Sequence, residues 1–301
     1  MRIGAFEVKE PVPQLRDPHI LAILQPWIDV GSVGTLALGT LESQFNAREL
    51  GRLARPSLFY DLTRYRPMLY RRRGERIVEV PNTIIRYAMG DGGQDYIFMH
   101  ILEPHANGED FVESILELAE HLNVRRYCQV GAMYGSAPHT RPLLASGQAS
   151  DPEVQAILVR AGVRTSNYEG PTSMMAIATQ ELVKRGVDTL SALIQLPPYA
   201  RLDEDHRGQE KLLKLLLPIY RFTIDDLTRI EQDGDRQYAE IERMAQRDSR
   251  VRSLVKQLEE AYDTEVGSQQ GEIGEVGQAD APPLAPDVED FLRELEQRDG
   301  S

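Results

Sequence analysis

The residues best suited to chemistry in this sequence lie next to predicted strand ends. Asp29 follows one short apolar run, and Glu103 follows another. Two carboxylates at the carboxyl edge of a sheet could perform acid–base catalysis or bind a metal ion. The alternative is that they accept hydrogen bonds from loop backbone or form ion pairs with Arg64, Arg66 or Arg141. We favour that plainer alternative, and we predict no catalytic residue and no metal site.

A second candidate is the loop that contains His139 and Arg141 between Pro138 and Pro142. An imidazole beside a guanidinium could bind an oxyanion or transfer a proton. The prolines stiffen the loop, which suits a binding site but equally suits a structural turn or a subunit contact. No serine or cysteine nucleophile accompanies it, because Cys128 falls inside an apolar strand, where a thiol is inert packing.

A glycine-bearing turn at residues 29–34 joins the first long strand to the first helix. Backbone N–H groups at such a helix start could bind phosphate. However, Gly31 and Gly34 do not belong to a Gly-x-Gly-x-x-Gly fingerprint, and no Lys-Ser/Thr pair follows them. Tight turning and close helix packing are simpler roles for them. If the turn does bind a ligand, Glu103 and the loop at 138–142 should share it, and we predict no cofactor.

A cluster of arginines alternates with tyrosines in residues 60–76: Arg64, Arg66, Arg71, Arg72, Arg73 and Arg76, with Tyr60, Tyr65 and Tyr70. Guanidinium groups bind oxyanions well, so an anion-binding patch is one interpretation. The other is a solvated β-hairpin turning at Gly74, which we favour because charge clusters are commonly only solvated surface.

The elements that must position these residues follow from the apolar pattern. Short apolar runs predict strands at residues 20–24, 57–60, 83–87, 96–102, 126–132 and 189–196, and amphipathic spacing predicts helices from about Thr35, Phe111, Asp151 and Ser173. Strands that alternate with helices indicate an α/β fold with a mainly parallel sheet flanked by helices. Three further amphipathic segments, at 209–219, 224–244 and 251–262, predict a C-terminal helical extension that covers the sheet or joins subunits.

We divide the chain into four parts. They are an α/β core domain (1–200), a helical extension (201–265), a disordered acidic linker (266–286) and a short amphipathic tail helix (287–301). A short helix on a flexible tether is a candidate segment for docking to another protein complex, although a frayed tail fits the sequence equally well. Its apolar residues have helical spacing: Val288, Phe291, Leu292 and Leu295.

Net charge, the cysteine count and the lack of long apolar segments exclude several classes of protein. The net charge is −13, but residues 264–301 contain ten acidic and only two basic residues, so the rest of the chain is ordinary in charge. Nothing resembles the basic footprint of a nucleic-acid-binding protein. One cysteine excludes an intrachain disulfide. The absence of an apolar signal segment and of any run of about 18 apolar residues predicts a cytoplasmic protein without a membrane span.

Five stretches, taken in order, resemble the proteasome assembly chaperone 2 family: Gly31-Ser32-Val33-Gly34 after Trp27-Ile28-Asp29, Phe59-Tyr60-Asp61 with residues 64–67, Glu103-Pro104, residues 138–142, and Gly170-Pro171-Thr172. The resemblance covers about residues 20–218, and the last helices are similar to those of bacterial members. It implies an α/β sandwich with an outline like that of purine nucleoside phosphorylases, self-assembly into oligomers, and assistance to proteasome assembly in archaeal and eukaryotic relatives.

Two departures from the family pattern matter. Pro197-Pro198-Tyr199 stands where members often have Pro-His-Tyr, and the chain ends in Arg-Asp-Gly-Ser rather than a hydrophobic-Tyr-X tail. Our favoured hypothesis is a non-enzymatic, homo-oligomeric assembly chaperone or scaffold. The alternative is a nucleoside-phosphorylase-like enzyme or ligand sensor, with Gly31, Glu103, His139 and Arg141 around one pocket. The comparable Met-Glu pair of those enzymes is absent, since Met174-Met175-Ala176 contains no glutamate.

Overall fold

Strands and helices alternate along most of the chain. The computed structural model describes residues 1–165 and 169–269. Its strands are β1 (Arg2–Ile3), β2 (Phe6–Val8), β3 (His19–Gln25), β4 (Arg48–Leu53), β5 (Met68–Arg72), β6 (Glu75–Glu79), β7 (Ile84–Ala88), β8 (Tyr96–Leu102), β9 (Arg126–Tyr134), β10 (Ala145–Ala149), β11 (Val163–Arg164) and β12 (Asp188–Leu196). Its helices are α1 (Val33–Gln44), α2 (Gly108–His121), α3 (Pro152–Arg160), α4 (Met174–Lys184), α5 (His206–Tyr220), α6 (Leu227–Arg247) and α7 (Ser249–Gln269).

Ten of the strands form one sheet in the order β1-β2-β4-β7-β8-β3-β9-β12-β10-β11. The central four strands, β8, β3, β9 and β12, are parallel, and most pairings on either side of them are antiparallel. Residues 20–24 of β3 are fully buried because helices cover both faces of the sheet centre. The prediction of an α/β fold with flanking helices is thus confirmed, with the parallel pairing concentrated at the centre.

The structure departs from the sequence predictions at residues 57–60 and at five strands that the sequence did not predict: β1, β2, β4, β10 and β11. Residues 57–60 are not a strand, because the first two of them belong to a short 3₁₀ turn, Pro56–Leu58, and Pro56 can donate no hydrogen bond to a sheet. Their apolar character is explained by packing, because Phe59 contacts the ring of Phe111 edge-on. Strand β4 was not predicted, as its charged residues interrupt the apolar pattern.

Strands β5 and β6 form a separate two-stranded antiparallel ribbon. The hairpin interpretation of the arginine cluster therefore fits its backbone, which turns at Arg73 and Gly74, both with positive φ. All ten strand residues of the ribbon are exposed, so the ribbon lies outside the main core.

The C-terminal helices pack in series against the sheet. Helix α5 buries Leu212, Leu213 and Leu216 in the same apolar cluster as the central strands. Helix α6 packs on α5, and α7 packs on α6. Helix α7 continues to Gln269; the rest of the predicted linker, and the tail with Val288, Phe291, Leu292 and Leu295, lie outside the described residues. The division at residue 200 stays a prediction.

Candidate functional site

Asp29 caps the amino terminus of helix α1. Its Oδ1 accepts hydrogen bonds from the backbone N–H groups of Gly34, at 2.8 Å, and Thr35, at 3.2 Å, and its Oδ2 accepts one from the Thr35 hydroxyl. Burial raises the pKa of Asp29, and these hydrogen bonds partly offset that effect. The amides that could have bound a phosphate are therefore already used by a side chain of the same turn.

Both glycines of the turn lie against other parts of the chain. Gly31 has φ of +60°, and a Cβ there would stand 2.8 Å from the Cβ of Asp205. Its carbonyl oxygen accepts a hydrogen bond of 2.8 Å from the Asp205 N–H. A Cβ on Gly34 would overlap the side chain of Ile23 in β3. The structure thus uses both glycines for close approach.

Asp205 connects this turn to the C-terminal helices. It is fully buried and precedes helix α5, where its Oδ1 accepts from the Gly208 N–H at 2.7 Å. Its Oδ2 accepts from the hydroxyl of Tyr238, on helix α6, at 3.1 Å. Burial raises its pKa. The sequence analysis did not single out Asp205, although an aspartate directly before a helical apolar pattern is an N-cap signal.

His139 joins its loop to the segment that follows β12 and to helix α6. The Tyr199 hydroxyl accepts a 2.8 Å hydrogen bond from the His139 backbone N–H and lies 2.6 Å from Nδ1. The Glu242 carboxylate near Nε2 can only accept, so in the neutral imidazole the ring proton is on Nε2 and Nδ1 accepts from the Tyr199 hydroxyl. Nε2–H then donates to Glu242, 2.8 Å away. The pKa of Glu242 is lowered by hydrogen bonds from Gln246 and His139.

Arg141 makes the corresponding contact with helix α7. Its Nε and Nη2 donate to the two carboxylate oxygens of Asp263 at 2.9 and 2.7 Å, and Nη1 donates to Glu259 at 3.1 Å. Thr140 donates to the same Glu259 oxygen at 2.6 Å. The bond with Asp263 raises the pKa of Arg141. The guanidinium that could have bound an oxyanion is therefore already paired within the chain.

The remaining predicted residues lie apart from this network. Glu103 directly follows strand β8, and its N–H donates a hydrogen bond of 2.9 Å to the Gln25 carbonyl. Arg64 and Arg66 are exposed, and Arg64 lies 3.9 Å from the Asp61 carboxylate. Among the residues that the structure describes, no hydrogen bond or ion pair joins these three to the His139 loop.

The geometry therefore gives most of the polar residues at the carboxyl edge a partner inside the chain. Asp29 caps α1, Asp205 caps α5 and binds α6, and the 138–142 loop binds α6 and α7. Within residues 1–165 and 169–269, no cluster of three or more His, Cys, Asp or Glu side chains is arranged to bind a metal ion. None of the helices described in those ranges is long and apolar enough to cross a bilayer.

Comparison with known proteins decides the family. A model of the PAC2 family matches residues 23–245, which extend from β3 to the last turn of α6. The chain belongs to the PAC2 family. The resemblance seen in the sequence is thus confirmed, and the match includes both His139 and Glu242. No curated protein matches the chain.

Solved structures of PAC2 family type share the fold. A PAC2 family protein from Streptomyces avermitilis is 25% identical, with a TM-score of 0.71, covering 79% of this chain and 100% of that one. A Mycobacterium tuberculosis protein of unknown function is 21% identical, with a TM-score of 0.77, covering 90% and 92%. A proteasome-assembly chaperone homologue from the same organism is 22% identical, with a TM-score of 0.69, covering 79% and 99%.

Proposed function

We propose that this PAC2 family chain works in the cytoplasm as a non-enzymatic, self-associating assembly chaperone or scaffold for a protein complex. The proposal rests on one observation: polar residues at the carboxyl edge of the sheet have their partners within the chain. His139 and Arg141, the groups best suited to bind a small oxyanion, bind helices α6 and α7 instead. We infer that the chain binds its partners through its exposed surface rather than at this edge of the sheet.

The β5–β6 ribbon supplies a surface suited to protein contact. Leu69 and Val78 lie directly opposite each other across the two strands and are 56% and 60% exposed. Met68, Tyr70 and Ile77 are also exposed on the ribbon. Alternation along the strands places Leu69 and Val78 on one face of the ribbon and the other three on the opposite face. An exposed apolar pair with a charged border is typical of interaction sites. We assign the contact between copies of the chain to this ribbon.

The relatives support the same kind of activity. One structural neighbour is described as a proteasome-assembly chaperone homologue. We propose that the present chain likewise binds another protein complex, with Val288, Phe291, Leu292 and Leu295 of the tail as the contact residues.

The double substitution Leu69→Asp/Val78→Asp should abolish self-association. Two carboxylates would have to lose their hydration in the contact, which is costly without partners. Native mass spectrometry should give a multiple of the 34.0 kDa chain mass for the wild type and 34.0 kDa for the variant. A wild-type protein that is monomeric at micromolar concentration would contradict the proposal.

The matched control is Val159→Asp/Ile177→Asp. These residues are 62% and 55% exposed and lie on helices α3 and α4, away from the ribbon in sequence. The control introduces the same two charges at equally exposed apolar positions, so it should keep the wild-type mass. If the ribbon variant also keeps that mass, the contact between copies lies elsewhere.

A further inference from the structure

A groove of about 1300 Å³ lies between the ribbon and the β2–β4 side of the main sheet. Met68, Tyr70 and Ile77 line it from the ribbon, and Leu53 of β4 and Leu62 also belong to its lining. Three of these five side chains are substantially exposed. The groove therefore offers an apolar floor that no described part of the chain covers.

The border of this groove is positively charged. Its lining contains four arginines and two glutamates, Glu7 and Glu79. Arg55, Arg71 and Arg72 form no ion pair with a residue that the structure describes. Residues 64–79 contain six arginines and two glutamates in a chain with a net charge of −13. An occupant with an apolar face and an acidic border would fit both properties of the groove.

One segment of the chain has these properties. Residues 287–297 lie outside the described part, contain five acidic residues and one arginine, and have apolar residues at 288, 291, 292 and 295. That spacing places the apolar residues on one side of a helix. A helix of that length is about 16 Å long, and a five-residue strand spans about 17 Å, so the segment and the ribbon match in length.

The intervening chain is long enough for docking within one molecule. Residues 270–286 separate helix α7 from the segment, and 17 residues span up to roughly 60 Å. The radius of gyration expected for a chain of this length is about 19 Å. A tethered segment also has an effective concentration of the order of millimolar, which favours its own groove over that of another copy.

We propose that residues 287–297 dock in the groove between the ribbon and the main sheet of their own chain. The apolar side chains at 288, 291, 292 and 295 cover Met68, Tyr70 and Ile77, while the acidic residues pair with the ribbon arginines. Docking keeps this apolar segment covered until a binding partner competes for it. Release by a partner rests on the proposed function, whereas docking itself rests on the groove and the charges and is tested separately.

The test is a distance measurement on the full chain. Spin labels are placed at Glu75→Cys in the ribbon and Gln297→Cys in the tail. Cys128 does not interfere, because it is fully buried and burial raises its pKa to about 12. Double electron–electron resonance should give one narrow distance between the two labels of a chain, and distances between labels of associated copies should disappear on dilution. The narrow distance should persist when labelled protein is diluted with excess unlabelled protein, because both labels belong to one molecule.

Paired variants separate docking from general effects. Phe291→Asp/Leu295→Asp should abolish the narrow distance, whereas Gln278→Asp/Ala285→Asp, which adds the same charge in the linker, should keep it. Arg71→Glu/Arg72→Glu should abolish it as well. Arg160→Glu/Arg252→Glu, which reverses two exposed arginines elsewhere, should keep it.

Three results would overturn the proposal. A broad distribution in the unsubstituted chain means that the segment does not occupy the groove. A narrow distance that survives both docking variants means that other residues hold the tail. A narrow distance that disappears on dilution means that the groove binds the segment of a second copy.

Discussion

Replacement of Asp205 with alanine should lower the free energy of unfolding by about 1.5 to 5 kcal/mol. Loss of an N-cap acceptor costs about 0.5–2 kcal/mol, and a buried hydroxyl left without a partner costs about 1–3 kcal/mol more. Both losses occur here, because the carboxylate accepts from Gly208 at 2.7 Å and from the buried Tyr238 hydroxyl at 3.1 Å. Urea unfolding followed by circular dichroism measures the difference.

Asp203 provides the control for this substitution. It is exposed, and only its backbone carbonyl takes part in a described hydrogen bond, which it accepts from Ser32. Asp203→Ala should therefore change stability by less than about 0.5 kcal/mol. Asp205→Asn keeps an acceptor for the Gly208 N–H. Its effect on the free energy of unfolding should lie between the effects of the two alanine substitutions. Equal effects of the two alanine substitutions would show that Asp205 does not hold the glycine turn and the C-terminal helices together.

The second large effect is a loss of stability in mild acid that originates at His19. This side chain is buried at the start of β3, and burial lowers its pKa to about 4, with the charge of Arg126 adding to the effect. The Asp17 carboxylate, 3.7 Å from Nε2, acts in the opposite direction. The ring of Tyr220 packs against it edge-on. His19 is therefore neutral in the folded chain at physiological pH.

The direction of this pH dependence follows from the pKa values of His19 in the unfolded and the folded chain. An unfolded histidine binds its proton near pH 6.5, whereas the folded chain binds it only near pH 4. The contribution of His19 to stability is fully present above pH 6.5 and is lost as the pH falls towards 4, by up to about 3 kcal/mol. Asp29 and Asp205, whose pKa values are raised by burial, change stability in the opposite sense as the pH falls.

His19→Phe should remove this pH dependence, because phenylalanine does not titrate and can keep the edge-on contact with Tyr220. Denaturant midpoints measured from pH 7.5 downward should fall less steeply in the variant than in the wild type. His121, which is exposed at the end of helix α2, is the control, and His121→Asn should keep the wild-type slope. The same slope in all three proteins would mean that His19 is not buried in its neutral form.

Local patterns predicted the elements that depend on neighbouring residues. The apolar run at 20–24 is a buried strand, and Asp151 caps helix α3 by accepting from the Glu153 N–H, as its place before an amphipathic pattern indicated. Residues 57–60 misled the prediction because the burial of Phe59 and Tyr60 comes from contacts with helix α2 and Thr83 rather than from strand pairing. A short apolar run reports burial without distinguishing its cause.

The partners of the edge residues could not be predicted in the same way. His139 binds Glu242, which is 103 positions away, and Arg141 binds Asp263, which is 122 positions away. Spacing along the chain contains no information about such contacts, since they depend on how α6 and α7 pack on the sheet. The residue types correctly indicated polar chemistry at this edge, but the partners are helices of the same chain.

The most direct test of this account is the thermal stability of the full chain in the presence of inorganic phosphate, nucleosides and nucleotides. Our account predicts no change in Tm with any of them, because His139 and Arg141 are occupied by Glu242, Glu259 and Asp263. A ligand at 100 times its Kd would add about 2.7 kcal/mol of stability. A saturable rise in Tm with one of these compounds would contradict the account and favour a phosphorylase-like enzyme or sensor.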